Sequence, residues 1–282
     1  MTTACQLFAR DRVMIVAAPN GARRARADHA ALPLSAAELA DCAVQLREAG
    51  ASVLHLHVRD GNGHHTLDAA AYREATRRIR QRIGDDLVLQ VTTEAVGRYT
   101  AAQQMALVRE LHPEAVSLAL RELCPSDDNN AFAFFAWLVA ERIWPQYILY
   151  DAADLRRFDK LRRRGVFAEQ HPSCLLVLGR YASGRPGQPG DLDTLLSAVD
   201  CSRFPWTACC FGAHEQAVML AALQQGGHVR IGFENNLLLA DGSVAADNAA
   251  LIRQFTAAAC HAERRPATAA EVRRAFLPAH QG

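Results

Sequence analysis

Gly50-Ala-Ser-Val-Leu-His-Leu-His-Val-Arg-Asp60 is the stretch from which the rest of the chain can be understood. Residues 52–58 are apolar and β-branched and follow a helical pattern that stops at Gly50, so they predict a short buried strand. Side chains two apart on a strand share a face. His55 and His57 therefore project together from the strand end, just before the polar turn Arg59-Asp60-Gly61-Asn62-Gly63. Two imidazoles placed this way can ligate a transition metal. Two unrelated histidines at a strand edge are the plainer account of an isolated His-x-His.

Outward from this segment, strand and helix patterns alternate. Strands are expected near 12–18, 52–58, 86–92, 115–119, 145–150, 173–178, 204–209 and 228–231. Helical patterns fall at 35–49, 68–83, 100–110, 128–142, 151–164, 191–199, 213–225 and 247–261. Ser35-Ala-Ala-Glu38 is a capping box, Gly50 a helix stop, and Asp68 and Thr100 can cap the next two helices. This α/β alternation predicts a (β/α)8 TIM barrel as a single domain over residues 1–282, with a doubly wound open sheet as runner-up. The one loop rich in Gly and Pro, Tyr181 to Gly190, has the length of a lid over a ligand.

A barrel makes a geometric claim. Catalytic groups come from the C-terminal ends of its strands. The last strand runs into Gly226-Gly-His-Val-Arg-Ile-Gly-Phe-Glu-Asn-Asn236. In a closed ring the second and eighth strands both flank the first, so His55, His57 and Glu234 meet at one mouth, with Arg230 beside them. Two nitrogens and one carboxylate oxygen form a three-ligand set with an open position, the pattern of a catalytic zinc site. The same donors accept cobalt, manganese or iron.

Composition sets limits. The chain has 282 residues, 50% hydrophobic and 22% charged, which supports a large core and excludes wholesale disorder. A net charge of +1 gives no global case for a nucleic-acid partner. Arg77-Arg78 and Arg162-Arg163-Arg164 read as solvated helix faces. The 8 cysteines show no Cys-x-x-Cys spacing, as in a reduced, cytoplasmic protein. No signal segment is evident at the N-terminus, and the longest apolar run, 131–140, is too short for a membrane span.

The chain resembles the β-keto acid cleavage enzymes. The resemblance rests on Ala18-Pro-Asn-Gly-Ala22, Leu32-Pro33, Gly50-Ala51 with His55-Leu-His-Val-Arg-Asp60, Thr92-Thr93, Trp206, and Gly227-His-Val-Arg-Ile-Gly-Phe-Glu-Asn-Asn236 with Gly242 and Asn248. It covers nearly the whole chain. It implies a zinc-bound TIM barrel, usually a homotetramer, that condenses a β-keto acid with acetyl-CoA to give acetoacetate and a new acyl-CoA. It also implies roles. Arg230 would hold developing negative charge. Thr92 would bind the substrate carboxylate, and Asn20, Ser117 and Asn235 would join it around the substrate.

Three positions depart from the family pattern. Where the pattern has Glu-Asp after the last strand, this chain has Glu234-Asn235, and an amide cannot accept a proton near neutral pH. An acidic position at the end of strand five is Ile148. A Gly-Ala-Glu loop is Gly21-Ala-Arg23-Arg24. Two consequences stay open. The pocket has exchanged an ammonium site for an anion site at Arg23 or Arg24, or proton transfer has passed to another group. Glu94 leads that second reading as a replacement base, with Glu122 and Asp60 behind it. Asp60 equally suits a turn or a ligand histidine's outer partner. Arg59 is expected in an ion pair, and His64 and His65 in an exposed loop. Arg180 and Arg185 can meet CoA phosphates as readily as solvent. Two other functions remain: metal-assisted hydrolysis, for which the strand ends lack further histidines, and a barrel that binds metal and keto acid without turnover.

Overall fold

A computed structural model of the chain describes residues 8–9, 11–169, 171–179 and 185–277. Its centre is a closed barrel whose eight strands neighbour one another in chain order. They are β1 Ile15–Ala17, β2 Val53–Leu56, β3 Val88–Thr92, β4 Ala115–Ala119, β5 Trp144–Leu149, β6 Ser173–Leu178, β7 Trp206–Cys210 and β8 His228–Ile231. The ring closes by parallel pairing of β8 with β1, Val229 opposite Ile15 and Ile231 opposite Ala17. That pairing removes the open-sheet alternative.

Around the ring lie α1 Ala36–Ala49, α2 Ala69–Ile83, α3 Ala101–Leu111, α4 Asn129–Ala140, α5 Ala152–Arg163, α6 Pro189–Leu196, α7 Glu215–Gln224 and α8 Asn248–His261, followed by α9 Ala269–Phe276. The α1 capping box is formed in full: Glu38 N donates to Ser35 Oγ at 3.2 Å and Ser35 N to Glu38 Oε2 at 2.9 Å. Such a cap is worth about 1 kcal/mol. Asp68 and Thr100 accept from the first turns of α2 and α3, as their positions predict.

Two expected strands are broken. The 12–18 segment divides into Arg12–Val13, which pairs with Arg265–Pro266, and β1. The 52–58 segment leaves the ring after Leu56, and Val58–Arg59 folds back on His65–Thr66 as an antiparallel hairpin. The turn Arg59-Asp60-Gly61-Asn62-Gly63 supplies the reversal, with Gly63 at positive φ. Helix α9, which opens with a capping box of Thr268 and Glu271, and the single turn Leu120–Leu123 are elements beyond those expected from the sequence.

The strands alternate between two environments. Leu54, Leu56, Leu89, Val91, Val116 and Leu118 belong to the large apolar cluster shared with the helices. Residues between them face inward. The lower interior holds Met14, Val16, Val53, Val88, Ala115 and Trp144, joined by Val272 of α9. Phe276 stacks on Trp144 with ring centroids 4.3 Å apart, so α9 closes the floor. Burying each large apolar side chain contributes about 1.5–3 kcal/mol. Above that floor the interior becomes polar, with Gln90, Ser117, Gln146 and Thr207 all buried. Higher still, toward the C-terminal strand ends, it opens into a cavity.

Candidate active site

His55 lies on β2, and His57 stands where the strand breaks into the hairpin. Asn20 Nδ2 donates to the His57 carbonyl at 2.9 Å and to Pro33 O at 3.0 Å, which pins this break to the β1 side of the barrel. Glu234 follows β8 on a turn pressed against the end of β1. Gly232 (φ 147°) leaves room there, since a Cβ would lie 2.3 Å from Ala18 O. Glu234 N donates to that carbonyl at 3.0 Å. On its other side the Glu234 side chain meets Gly21 (φ 59°), whose absent Cβ would fall 2.5 Å from Glu234 Cγ. Two close backbone approaches thus fix the carboxylate.

The three side chains converge. His55 Nε2 and His57 Nε2 are 3.1 Å apart, and each is 3.5 Å from Glu234 Oε2. Arg230 Nη2 lies 3.0 Å from Glu234 Oε1 and donates to Asn235 Oδ1 at 3.1 Å. Burial lowers the His55 pKa to about 4 and that of His57 to about 3, so both rings are neutral near pH 7. Burial alone would raise Glu234; Arg230 and the two histidines outweigh it and hold the carboxyl well below its ordinary range. Arg230, for which burial acts the other way, is held above its ordinary value by Cys209 and Glu234.

This donor set suits a metal ion. Ligand atoms of the three residues lie within 4.8 Å of one another. Gln90 Oε1 is 2.9 Å from His55 Nδ1, which leaves His55 Nε2 as a bare acceptor. At the centre, then, two ring nitrogens and a carboxylate oxygen share at most one hydrogen, on His57. A cation between them satisfies all three. His57 Nδ1 has no hydrogen-bond partner, and Glu94 Oε2 stands 3.9 Å away, in position to receive its proton when Nε2 ligates.

A cavity of about 270 Å³ opens above this cluster, lined by Arg23, Thr92, Glu94, Glu122, Ile148, Tyr150 and Arg230, among others. Glu94 is pushed up to about 7, by burial first and by Glu234 second. Its turn is held from two sides: His65 Nε2 lies 3.1 Å from Glu94 O, and Ala95 N donates to Glu122 Oε2 at 3.1 Å. Arg121 on the wall is already paired with Asp151 and Asp154. Among the described residues Arg23 makes no ion pair or hydrogen bond, and its charge acts on Glu94 across the cavity, so it is a cation that a ligand at the rim can meet.

The other expected residues divide between the cavity wall and the layer behind it. Thr92 lines the cavity, and its hydroxyl oxygen accepts from Glu94 N at 3.1 Å. Thr93 instead donates to Ser117 O. Ser117 is buried beneath the cavity, and its hydroxyl has no partner. Asn235 Nδ2 donates to Glu215 Oε1 and to Arg230 O, so it braces Arg230 from outside. Asp60 accepts from Asn62 N and His64 N, the turn role.

Two expectations need correction. Among the described residues Arg59 forms no ion pair; its guanidinium donates to the carbonyls of Ala22, Gly21 and Arg24 and clamps the loop that carries Arg23. His65 is not exposed: the hairpin turns it inward against His57, ring centroids 5.0 Å apart, while His64 stays outside. Arg180 and residues 181–184 of the glycine-rich loop lie outside the described residues, and Arg185 pairs with Asp191. Gln90, Gln146 and Glu215 escaped the sequence reading. A lone glutamine in each of two apolar strands was the available signal.

A closed (β/α)8 barrel that gathers two neutral imidazoles and a carboxylate at its C-terminal mouth, beside a buried arginine, defines a barrel enzyme with a site for a divalent metal. Residues 12–277 match the family described as beta-keto acid cleavage enzyme, and the chain belongs to that family. The 3-keto-5-aminohexanoate cleavage enzyme of Fusobacterium nucleatum is 28% identical over 93% of this chain and 97% of its own length. The 3-oxoadipate:acetyl-CoA acetyltransferase of Cupriavidus necator is 26% identical over 94% of both. The solved complex of ObcA with oxaloacetate shares the fold, with a TM-score of 0.70 at 16% identity over 87% of this chain and 67% of that one.

Proposed function

We propose that this chain transfers the acyl fragment of a β-keto acid to CoA at the expense of acetyl-CoA, with acetoacetate as the second product. The atoms fix what must happen. The CH2–COO⁻ half of the keto acid joins the acetyl group, and the remaining R–CO fragment leaves on CoA sulfur. A proton leaves C2 so that C2 can bond to the acetyl carbon as the acetyl–sulfur bond breaks; the C2–C3 bond then breaks as CoA sulfur takes C3, and the proton returns to C2. Its relatives' names specify acetyl-CoA as co-substrate and keto acids as partners. The observation that carries the reading is the meeting of His55, His57 and Glu234 on the cavity floor beside Arg230.

Zinc bound by these three residues would polarise the ketone of a chelated β-keto acid. Arg230, held charged and desolvated, faces the negative charge that develops on the reacting oxygens. Glu94 takes the C2 proton on its carboxylate, the task that Asn235 cannot perform. Thr92 donates its hydroxyl to the substrate carboxylate. Asn20 and Asn235 act from behind, through the His57 carbonyl and Arg230, and Ser117 supports the cavity floor.

The rim favours a neutral or anionic substrate. Arg23 offers an unpaired cation, and Ile148 offers an apolar wall. At these two positions an ammonium-bearing substrate would meet a like charge at Arg23 and an apolar side chain at Ile148. The protein is further proposed to work in the cytoplasm as a homotetramer; among the described residues no helix is long and apolar enough to cross a membrane.

The test combines metal analysis with a CoA-ester assay on neutral, anionic and cationic β-keto acids. About one zinc per chain, acetoacetate release, and preference for neutral or anionic acids are expected. A metal-loaded protein with no acetyl-CoA-dependent turnover across the panel would move the function to hydrolysis or to binding.

A further inference from the structure

We propose that Gln90, Gln146 and Thr207 form a positioning chain across the barrel interior that fixes which nitrogen of His55 carries its proton, and so prepares the metal ligand from the far wall. The inference rests on the metal reading of His55. All three residues are buried, and they sit on β3, β5 and β7. His55 Nδ1 contacts Gln90 Oε1 at 2.9 Å. Gln90 Nε2 donates to Gln146 Oε1 at 3.2 Å, and Gln146 Nε2 donates to Thr207 Oγ1 at 3.1 Å. The chain spans from β2 to β7 without a gap.

A row of amides has a direction. Each carboxamide accepts at one end and donates at the other, so both glutamines must turn together. In the direction found here, Gln90 presents an acceptor to His55. The ring then carries its hydrogen on Nδ1 and leaves the Nε2 lone pair toward His57 and Glu234. In the reverse direction Gln90 would present N–H to Nδ1. The hydrogen would move to Nε2, and the ligand would be blocked. Thr207 ends the row with a hydroxyl that accepts from Gln146. Its loss leaves Gln146 N–H buried and unpaired, and an orphaned N–H is tolerated less well than an orphaned carbonyl. Reversal of the whole row relieves it. A change on β7 should therefore appear in the tautomer of a histidine on β2.

Gln90, Gln146 and Thr207 do not line the cavity, so a role in filling space predicts a different result. The experiment uses 15N-histidine-labelled, metal-free protein and long-range proton–nitrogen spectra to read the His55 tautomer, together with Zn2+ affinity by chelator competition. Wild type should show Nδ1–H. Thr207→Val, which keeps the shape, should move His55 toward Nε2–H and weaken Zn2+ by about three- to tenfold, one hydrogen bond's worth. Gln90→Leu should weaken it by about 10–100-fold, as for outer partners of ligand histidines. Gln90→Glu, an obligate acceptor, should restore Nδ1–H. Nε2–H in the wild type, or a Thr207→Val protein with unchanged tautomer and affinity, overturns the proposal. If the wild type binds no Zn2+, the functional reading fails, while the tautomer of the metal-free variants still decides the chain.

Discussion

Asn235→Asp restores the acidic residue of the family pattern, yet in this chain it should destabilise the fold. Asn235 Nδ2 donates to Glu215 Oε1 at 3.2 Å and to Arg230 O at 3.1 Å, while its Oδ1 accepts from Arg230. The aspartate keeps the last contact and sets an oxygen against two other acceptors. Two unit charges at the 3.2 Å separation would repel by about 5 kcal/mol at an effective dielectric of about 20. Burial already raises Glu215 to about 8, so the pair keeps a proton rather than bear that repulsion. That proton can bridge the two carboxyls, but the aspartate oxygen still faces the Arg230 carbonyl with no hydrogen between them, a buried mismatch of about 1–3 kcal/mol. A loss of about 2 kcal/mol is expected in urea unfolding at pH 7. Glu215→Gln should recover part of it: turned with Nε2 toward the aspartate, the amide donates where Oε1 stood and offers its oxygen to Asn236 Nδ2, with loss of the Gly232 N contact. The double-mutant cycle should show a coupling of about 1–2 kcal/mol. Additive single effects, or an Asn235→Asp protein as stable as wild type, would refute the idea that positions 215 and 235 are a matched acid–amide pair.

Chelation should lower stability: with zinc at about 100 times its Kd, the bound state gains about 2.7 kcal/mol, and Glu234→Gln should remove most of that increment in thermal melts with and without Zn2+. Gly21→Ala places a Cβ against Glu234 Cγ at positive φ; loss of metal affinity in a protein destabilised by about 1–2 kcal/mol is expected by equilibrium dialysis and denaturation. Arg59→Ala frees the carbonyls of the loop that holds Arg23, so KM for anionic keto acids should rise by about tenfold with little change for neutral ones. Burial raises Glu169 to about 7, although Tyr147 Oη donates to it at 2.8 Å. A carboxyl raised in the folded state gives its full stability below the unfolded pKa near 4.5 and loses it as pH rises through about 7. Glu169→Gln should thus match wild type near pH 4 and exceed it by about 1–2 kcal/mol at pH 8, a figure reduced for partial solvent contact.

The barrel was legible because its signals are local and repeated. Gly50, Ser35 and Asp68 mark helix ends whatever surrounds them, and buried parallel strands read as continuous apolar runs. Ring closure then brought His55, His57 and Glu234 to one mouth. What stayed hidden depends on contacts across the ring. Nothing near Gln90 or Gln146 in sequence tells that each faces the other. Arg59 looked like an ion-pair partner because charge is visible in sequence, whereas the backbone carbonyls it binds carry no residue signature. His65 looked exposed because a polar turn precedes it, and the inward turn follows from hairpin register alone.

The floor of the barrel has a consequence for synthesis. Arg265 pairs with Arg12, and Phe276 stacks on Trp144, so the segment that seals the lower interior is made after every strand it seals. A nascent chain emerging from the ribosome owns all eight strands before it owns a floor. For that interval Met14, Val53, Val88 and Trp144 form an open apolar well, a surface for chaperones or for other unfinished chains. The lower interior is complete only once α9 docks, so a variant that weakens that docking should leave more of the chain with this well open.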